Sequence, residues 1–303
     1  MLVSVVIPTI GRETLRGAVS SAMDQSAPVH EIIVVADTTD SVDVPDDDRI
    51  KVVHTGGSRG SANSRQQGIE AATGDVIALL DDDDLWHPYK IERQLAEIRA
   101  ADGDDWVVAC RSAVRRTGKR EKVWPRRVIK SHQSVPDYLF RMTGVRMGGG
   151  MLQSSTLCFP RSLALRVPLN DDPEAVHDEP TWCIRVQAHN PQIAFRQLDD
   201  CLTVYNVTAG SASRRDHDDS EDYVRWGLAY LADATARVRG DYFLTSAVSA
   251  AARAGSTSSV RQAITVGFEQ GRPGVGAILY AGGKLVHAAV TSTLFSRGAG
   301  TPA

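Results

Sequence analysis

The chain begins with an apolar run, Val3-Ser4-Val5-Val6-Ile7, that ends at Pro8-Thr9. Similar β-branched runs lie at Glu31 to Val35, leading into Ala36-Asp37, at Lys51-Val52-Val53-His54, and at Val76 to Leu80, leading into Asp81. Short runs of this kind predict strands, and their lack of alternation predicts burial on both faces. Between them, Leu15 to Ala22 and Ser61 to Ala72 carry helical spacing, the second through Ala62, Ile69 and Ala72. A further helix is predicted from about Tyr89 to Ala100, followed by the strand Trp106 to Cys110. Strands alternating with helices imply an α/β fold with a mostly parallel, Rossmann-like sheet flanked by helices. In such sheets ligands collect beyond the carboxyl ends of the strands. Those ends carry Pro8-Thr9, Asp37, the loop Gly56 to Gly60 and Asp81 to Asp84.

Past this region the pattern changes. Arg111 to Arg127 is rich in Arg and Lys, and Gly148-Gly149-Gly150 marks a turn. Residues 220 to 303 hold Ala-rich helical segments with Gly and Pro punctuation and no strand pattern, which predicts a helical C-terminal subdomain. The expected division is therefore 1–115 for ligand binding, 116–219 for a second half of the same domain, and 220–303 for the helices. Near the end, Ile278, Leu279, Leu285, Val286, Val290 and Leu294 share one helical face, read as packing or a homodimer contact, with a membrane-surface contact as the competing reading.

Composition narrows the class. The 303 residues are 42% hydrophobic and 23% charged, which excludes bulk disorder. A formal net charge of -3 gives no global drive toward nucleic acid, so duplex binding is not expected. The cysteines Cys110, Cys158, Cys183 and Cys201 form no CxxC pair and read as reduced core residues. With no leader pattern after Met1, and with Lys284, His287 and two glycines interrupting Val275 to Phe295, the expected location is the cytoplasm, including the inner membrane face.

The strongest chemical feature is Asp81-Asp82-Asp83-Asp84, delivered by a buried strand to the ligand edge of the sheet. Carboxylates so placed repel one another unless a hard cation or solvent offsets the charge. Asp46-Asp47-Asp48 follows Pro45 and no apolar strand, and reads as a solvated turn. Gly56 to Ser61 lacks both the phosphate-loop ending and the dinucleotide pattern, which argues against ATPase and dehydrogenase readings.

These segments, in this order, together with Gly60, Arg65, Gly68-Ile69 and Gly74-Asp75, resemble the nucleotide-binding half of family 2 glycosyltransferases of GT-A fold over about residues 1 to 115. The resemblance implies that Pro8, Thr9 and Asp37 border the nucleobase and that Arg65 lies near the base or diphosphate. It implies that Asp81 and Asp83 form a DxD pair, Asp81 near the ribose and Asp83 on Mg²⁺ or Mn²⁺, with Asp82 beside them in the nucleotide site. A weaker similarity at Val176 to Trp182, followed by Arg185, points to Asp178 as catalytic base, with Glu179 as the adjacent substitute. Read from the residues alone, Asp178 caps a helix. Thr208 stands where the family often holds a histidine, which leaves His217, Arg214 and Arg215 as candidates for metal or diphosphate contact. Trp124, Tyr138, Met147, Met151 and Trp182 offer apolar surface to an acceptor or to the core.

The resemblance thus implies a metal-dependent, inverting transfer of a sugar from a nucleoside-diphosphate sugar, UDP or TDP by default, to an acceptor hydroxyl. The acceptor classes in view are a glycan, a lipid-linked glycan and a small natural product. A nucleotidyltransferase and a non-catalytic nucleotide-sugar-binding module are the alternatives.

Overall fold

The computed structural model describes residues 1–98, 104–130, 133–144, 149–207 and 218–298, with side chains through residue 290. The predicted strands form as β1 (Val3–Thr9), β2 (Glu31–Ala36), β3 (Ile50–His54) and β4 (Val76–Leu79), joined by α1 (Leu15–Met23) and α2 (Ser61–Ala71). They pair in parallel in the order β3-β2-β1-β4. β1, β2 and β4 are buried along almost their whole length, as their unalternating apolar runs require. The register Thr9↔Ala36 levels the ends of β1 and β2, so Thr9 and Asp37 emerge side by side. α2 lies close against these strands because Gly68 has no side chain. A Cβ there would come within 2.4 Å of Val6 and 2.9 Å of Val35.

The sheet continues through strands that the hydrophobic pattern does not reveal. After β5 (Leu85–Trp86) and α3 (Lys90–Ile98), β6 starts at Trp106 as predicted but runs on to Arg116, and β7 (Lys122–Trp124) pairs back on it. α4 (Val135–Phe140), β8 (Cys158–Pro160), α5 (Arg161–Arg166), α6 (Asp178–His189) and β9 (Ala194–Val207) follow. β8 lies antiparallel between β4 and β6, and β9 runs parallel to β6. The described strand order is β3-β2-β1-β4-β8-β6-β9-β5, so two parallel groups are joined by one reversed strand.

The contacts divide the chain into two compact units. The first is Met1–Val135 with Gly150–Thr208 and contains the whole described sheet. The position near residue 115 falls inside β6, whose pairing with β9 continues to Arg116. The second unit is Pro136–Gly149 with Ala209–Ala303. Its described part beyond residue 218 is helical: α7 (Ser220–Tyr230), α8 (Ala236–Tyr242), a π-helical turn (Phe243–Ala247), α9 (Val248–Arg253), α10 (Thr257–Gln270) and α11 (Val275–Gly298). α11 buries Ala277, Ala281 and Ala288 and leaves Leu279, Val286 and Val290 more than half exposed. Leu294 lies beyond the described side chains.

All four cysteines are free thiols, and burial pushes those of Cys110 and Cys158 up to about 12. Among the described residues no helix is long and apolar enough to cross a membrane.

Candidate active site

The four aspartates after β4 separate into two pairs. Asp82 is buried, accepting Thr9 Oγ1 at 2.6 Å on Oδ2 and Arg12 Nη1 at 2.5 Å on Oδ1. Asp84 is also buried. Its Oδ2 accepts Ser155 Oγ at 2.7 Å and Gln153 Nε2 at 2.8 Å, and its Oδ1 accepts the Asn206 N–H at 3.0 Å. Burial, with neighbouring Asp81 adding to it, pushes the Asp84 carboxyl well above the usual carboxylate range. Asp82 and Asp84 thus fasten the acidic turn to the β1 loop and to β9, while Asp81 and Asp83 are only half-buried, Asp81 Oδ2 also accepting Gln153 Nε2 at 3.2 Å. Burial also raises the Asp83 carboxyl. Arg12 at 3.8 Å opposes that shift, and Asp81 and Asp82 reinforce it.

Arg65 connects this turn to α6. Its guanidinium, almost fully buried, donates from Nη2 to Asp81 at 2.8 Å and from Nη1 to Asp178 at 3.4 Å. Burial works against its charge, but Asp81, Glu179 and Asp178 outweigh that penalty and hold it protonated. Asp178 opens α6 just after the N-cap residue His177, and its Oδ2 also accepts Ser61 Oγ at 2.6 Å. Its carboxylate is therefore directed across the site. Glu179 accepts the Ser154 hydroxyl and, at 3.2 Å, the Ser154 N–H. Burial raises the Glu179 carboxyl, while Arg65 opposes the shift. Arg65, Leu79, Ser154, Asp178, Glu179 and Trp182 line a pocket here.

Along the sheet edge, Pro8 is half-buried at the end of β1, and Thr9 is turned inward onto Asp82. Asp37 accepts the Thr55 hydroxyl and the backbone N–H groups of Arg59 and Gly60, at 2.9 and 2.8 Å. Burial opposes its charge, but these three donors outweigh burial and lower its pKa. Asp37 therefore shapes the glycine-containing loop that leads into α2, next to the ends of β1 and β2.

The structure joins Asp81 and Asp178 through Arg65, leaves Asp83 in the same acidic turn beside Arg12, and sets Pro8, Thr9 and Asp37 at the ends of β1 and β2. Asp82 belongs to the wall beneath them. Tyr138 and Trp182 are core residues, 0% and 1% exposed. Thr208, Arg214, Arg215, His217 and Met147 lie outside the described residues. Sequence reasoning misses Arg12, Gln153, Ser61, Ser155 and Asn206. Their partners lie about 70 to 120 residues away, and the one available signal was that a buried acidic run needs donors.

The donor set of the acidic turn fits a hard divalent cation. Asp81 and Asp83 offer carboxylate oxygens in one turn, and among the described residues Arg12 is the one cation beside Asp83, at 3.8 Å. Among the described residues no three His, Cys, Asp or Glu side chains converge into a cage. The pair therefore suits an ion that takes its other ligands from phosphate and water, as Mg²⁺ commonly does.

The mixed sheet, with an acidic turn at its ligand edge, is the GT-A fold of glycosyltransferases. One match to it is S. aureus TarS 1-349 in complex with UDP-GlcNAc, with a TM-score of 0.59, 14% identity, and coverage of 95% of this chain and 89% of that one. Mannosyltransferase PcManGT from Pyrobaculum calidifontis, in complex with GDP-Man and Mn2+, matches with a TM-score of 0.52, 16% identity, and coverage of 95% and 86%. Residues 4–158 match the model of Glycosyl transferase family 2, and the chain belongs to that family. It is similar to the amylovoran biosynthesis glycosyltransferase AmsB of Erwinia amylovora, 28% identical over 195 residues. That match covers 60% of this chain and 62% of AmsB, so the chain spans less than two thirds of that relative.

Proposed function

We propose that this protein is a metal-dependent, inverting glycosyltransferase that moves a sugar from a nucleoside-diphosphate sugar to an acceptor hydroxyl. The observation that carries the reading is Arg65, which binds Asp81 of the acidic turn and Asp178 of α6 at once. The donor-side carboxylates and a candidate base thereby stand on either side of one buried cation. The family membership, and the nucleotide sugars named with TarS and PcManGT, support the choice of donor, with UDP or TDP the default nucleotide.

In this reaction Pro8, Thr9 and Asp37 form the nucleobase end of the donor site, Arg65 orients Asp81 toward the ribose, and Asp83 holds the metal with Asp81. Mg²⁺ or Mn²⁺, when bound, offsets the charge of the departing diphosphate. Asp178 takes the proton of the acceptor hydroxyl. Ser61 and Arg65 both bind its Oδ2, which leaves Oδ1 for that proton. A single displacement by the activated oxygen inverts the anomeric centre. The acceptor is a glycan, a lipid-linked glycan or a small natural product, and the exposed apolar side of α11 offers a surface for a homodimer or for peripheral membrane contact.

Calorimetric titration with UDP, TDP, GDP and CDP, each with Mn²⁺ or with chelator, tests the donor site. Metal-dependent binding of one nucleotide that disappears in Asp83→Ala is the expected result. No binding of any diphosphate overturns the reading.

A further inference from the structure

Arg12 sits on the acidic turn, and the reaction as proposed gives it no role. Its Nη1 lies 2.5 Å from Asp82 and 3.8 Å from Asp83, and Asp82, Asp83 and Asp81 all favour its charge, against the cost of burial. The backbone beneath it is fixed. Gly11 takes a φ of +87°, which favours glycine, and donates its N–H to Thr9 Oγ1 at 3.0 Å, while the Arg12 carbonyl accepts the Leu15 N–H at the start of α1. The side chain is less constrained, being 34% exposed. Asp82 keeps its bond from Thr9 if the guanidinium departs. Arg12 is thus a built-in monovalent counter-ion placed beside Asp83, where the divalent cation of the proposed reaction would approach.

A guanidinium and a metal ion cannot both lie against Asp83 without repelling each other, and a guanidinium also suits phosphate oxygens. We propose that Arg12 couples cation binding to diphosphate binding: its guanidinium screens Asp83 while the nucleotide is absent and turns to the diphosphate when nucleotide and cation bind together. This inference rests on the glycosyltransferase reading above. Cation alone then binds weakly because it must displace Arg12, and nucleotide with cation binds tightly because Arg12 gains a new partner. By linkage each ligand strengthens the other by the same factor.

The test is Mn²⁺ affinity, read from the spin-resonance signal of free Mn²⁺, with and without saturating UDP and, in parallel, GDP. Wild type, Arg12→Gln, Arg12→Lys and Asp83→Ala are compared. Arg12→Gln should bind Mn²⁺ alone about tenfold more tightly and Mn²⁺ with nucleotide about tenfold more weakly, within the usual span of coupling factors. A merely structural role lowers both affinities, so the opposite signs distinguish the two. Unchanged or weaker binding of Mn²⁺ alone by Arg12→Gln overturns the proposal. Where Arg12→Gln does not fold, Arg12→Lys decides. It keeps the charge but loses the fork, so coupling should fall while binding of Mn²⁺ alone stays within about threefold, and unchanged coupling overturns the proposal. If Asp83→Ala abolishes Mn²⁺ binding while both Arg12 variants behave as wild type, the donor site stands and only the coupling fails. If wild type binds neither ion nor nucleotide, the donor-site reading itself fails.

Discussion

Asp81 and Asp178 share one guanidinium: Arg65 donates to Asp81 at 2.8 Å and to Asp178 at 3.4 Å. The first contact spans 16 residues and the second 113, so a strand end and a distant helix start are tied through a single buried charge. This ties the acidic turn to the start of α6 before any substrate arrives, the preorganisation that the proposed two-substrate reaction requires.

Arg65→Ala leaves Asp81, Asp178 and Glu179 facing one another without that cation. Removing one partner of a buried ion pair strands the rest, so a stability loss of about 3 kcal/mol is expected. Arg65→Lys keeps the charge but cannot fork to both carboxylates, and should lose less stability yet more than about tenfold in kcat/KM. Urea unfolding read beside turnover checks both. Equal stability of Arg65→Ala and wild type would show that the guanidinium does not hold the two carboxylates together.

Glu31 gives a pH signature away from the site. Its carboxylate accepts Ser4 Oγ, Thr73 N and Oγ1, and Lys51 Nζ, at 2.6 to 2.8 Å. Burial opposes the charge, but these donors, Lys51 foremost, lower the carboxyl to about 2. An unfolded glutamate titrates near about 4.3, so the unfolded chain binds more protons between those values and stability rises with pH across that window. Glu31→Gln should therefore cost about 2 kcal/mol at pH 7, discounted for the half-exposed Lys51. The difference from wild type should close as pH falls toward about 2. Unfolding curves at pH 7, 4.5 and 3 measure it, and a constant difference would contradict the assignment.

The strands β1, β2 and β4 were legible because each is an apolar run buried on both faces, whereas β3, read as a strand from Val52-Val53, is an edge strand that stays largely exposed. β8 and β9 were not legible. β8 has only three residues, and β9 carries the exposed pair Asp199-Asp200 in its middle, so neither shows a simple period. The acidic turn was legible as a site because a strand delivers it, but not the division of labour within it. Asp82 and Asp84 look like Asp81 and Asp83 in sequence, and differ in being fully buried, Asp82 under Thr9 and Arg12 and Asp84 under Gln153, Ser155 and Asn206, all from other elements. Asp178 was reached through resemblance to a family, since on residues alone a helix cap explains it equally well.

Asp84 separates structural from chemical carboxylates in that turn. Burial holds its carboxyl neutral well above the usual range, so the folded, metal-free protein binds a proton there that the unfolded chain releases near about 3.9. Stability contributed by that proton is lost as pH rises through the raised folded value. Asp84→Asn stays neutral throughout. Its Oδ1 keeps the Asn206 N–H, and its amide can meet Gln153 Oε1, which has no partner among the described residues. With chelator present, melting temperatures from pH 5 to 9 should fall less steeply for Asp84→Asn than for wild type. Parallel slopes would count against a neutral Asp84.

Asp178→Asn tests the chemistry most directly. The amide keeps an oxygen to accept from Ser61 and Arg65 but cannot take a proton from the acceptor. Loss of a positioned general base lowers turnover by about 10² to 10⁴-fold, whereas loss of a structural carboxylate would lower nucleotide affinity and stability together. The expected outcome is a kcat reduced by at least about 10²-fold with binding of the nucleoside diphosphate and the melting temperature little changed. Glu179 supplies the control. Its Oε1 accepts both the hydroxyl and the N–H of Ser154, and an amide oxygen keeps both bonds, so Glu179→Gln should leave the fold in place and lower kcat less than Asp178→Asn. If the two variants exchange these effects, the base is Glu179, and Asp178 serves to orient Arg65.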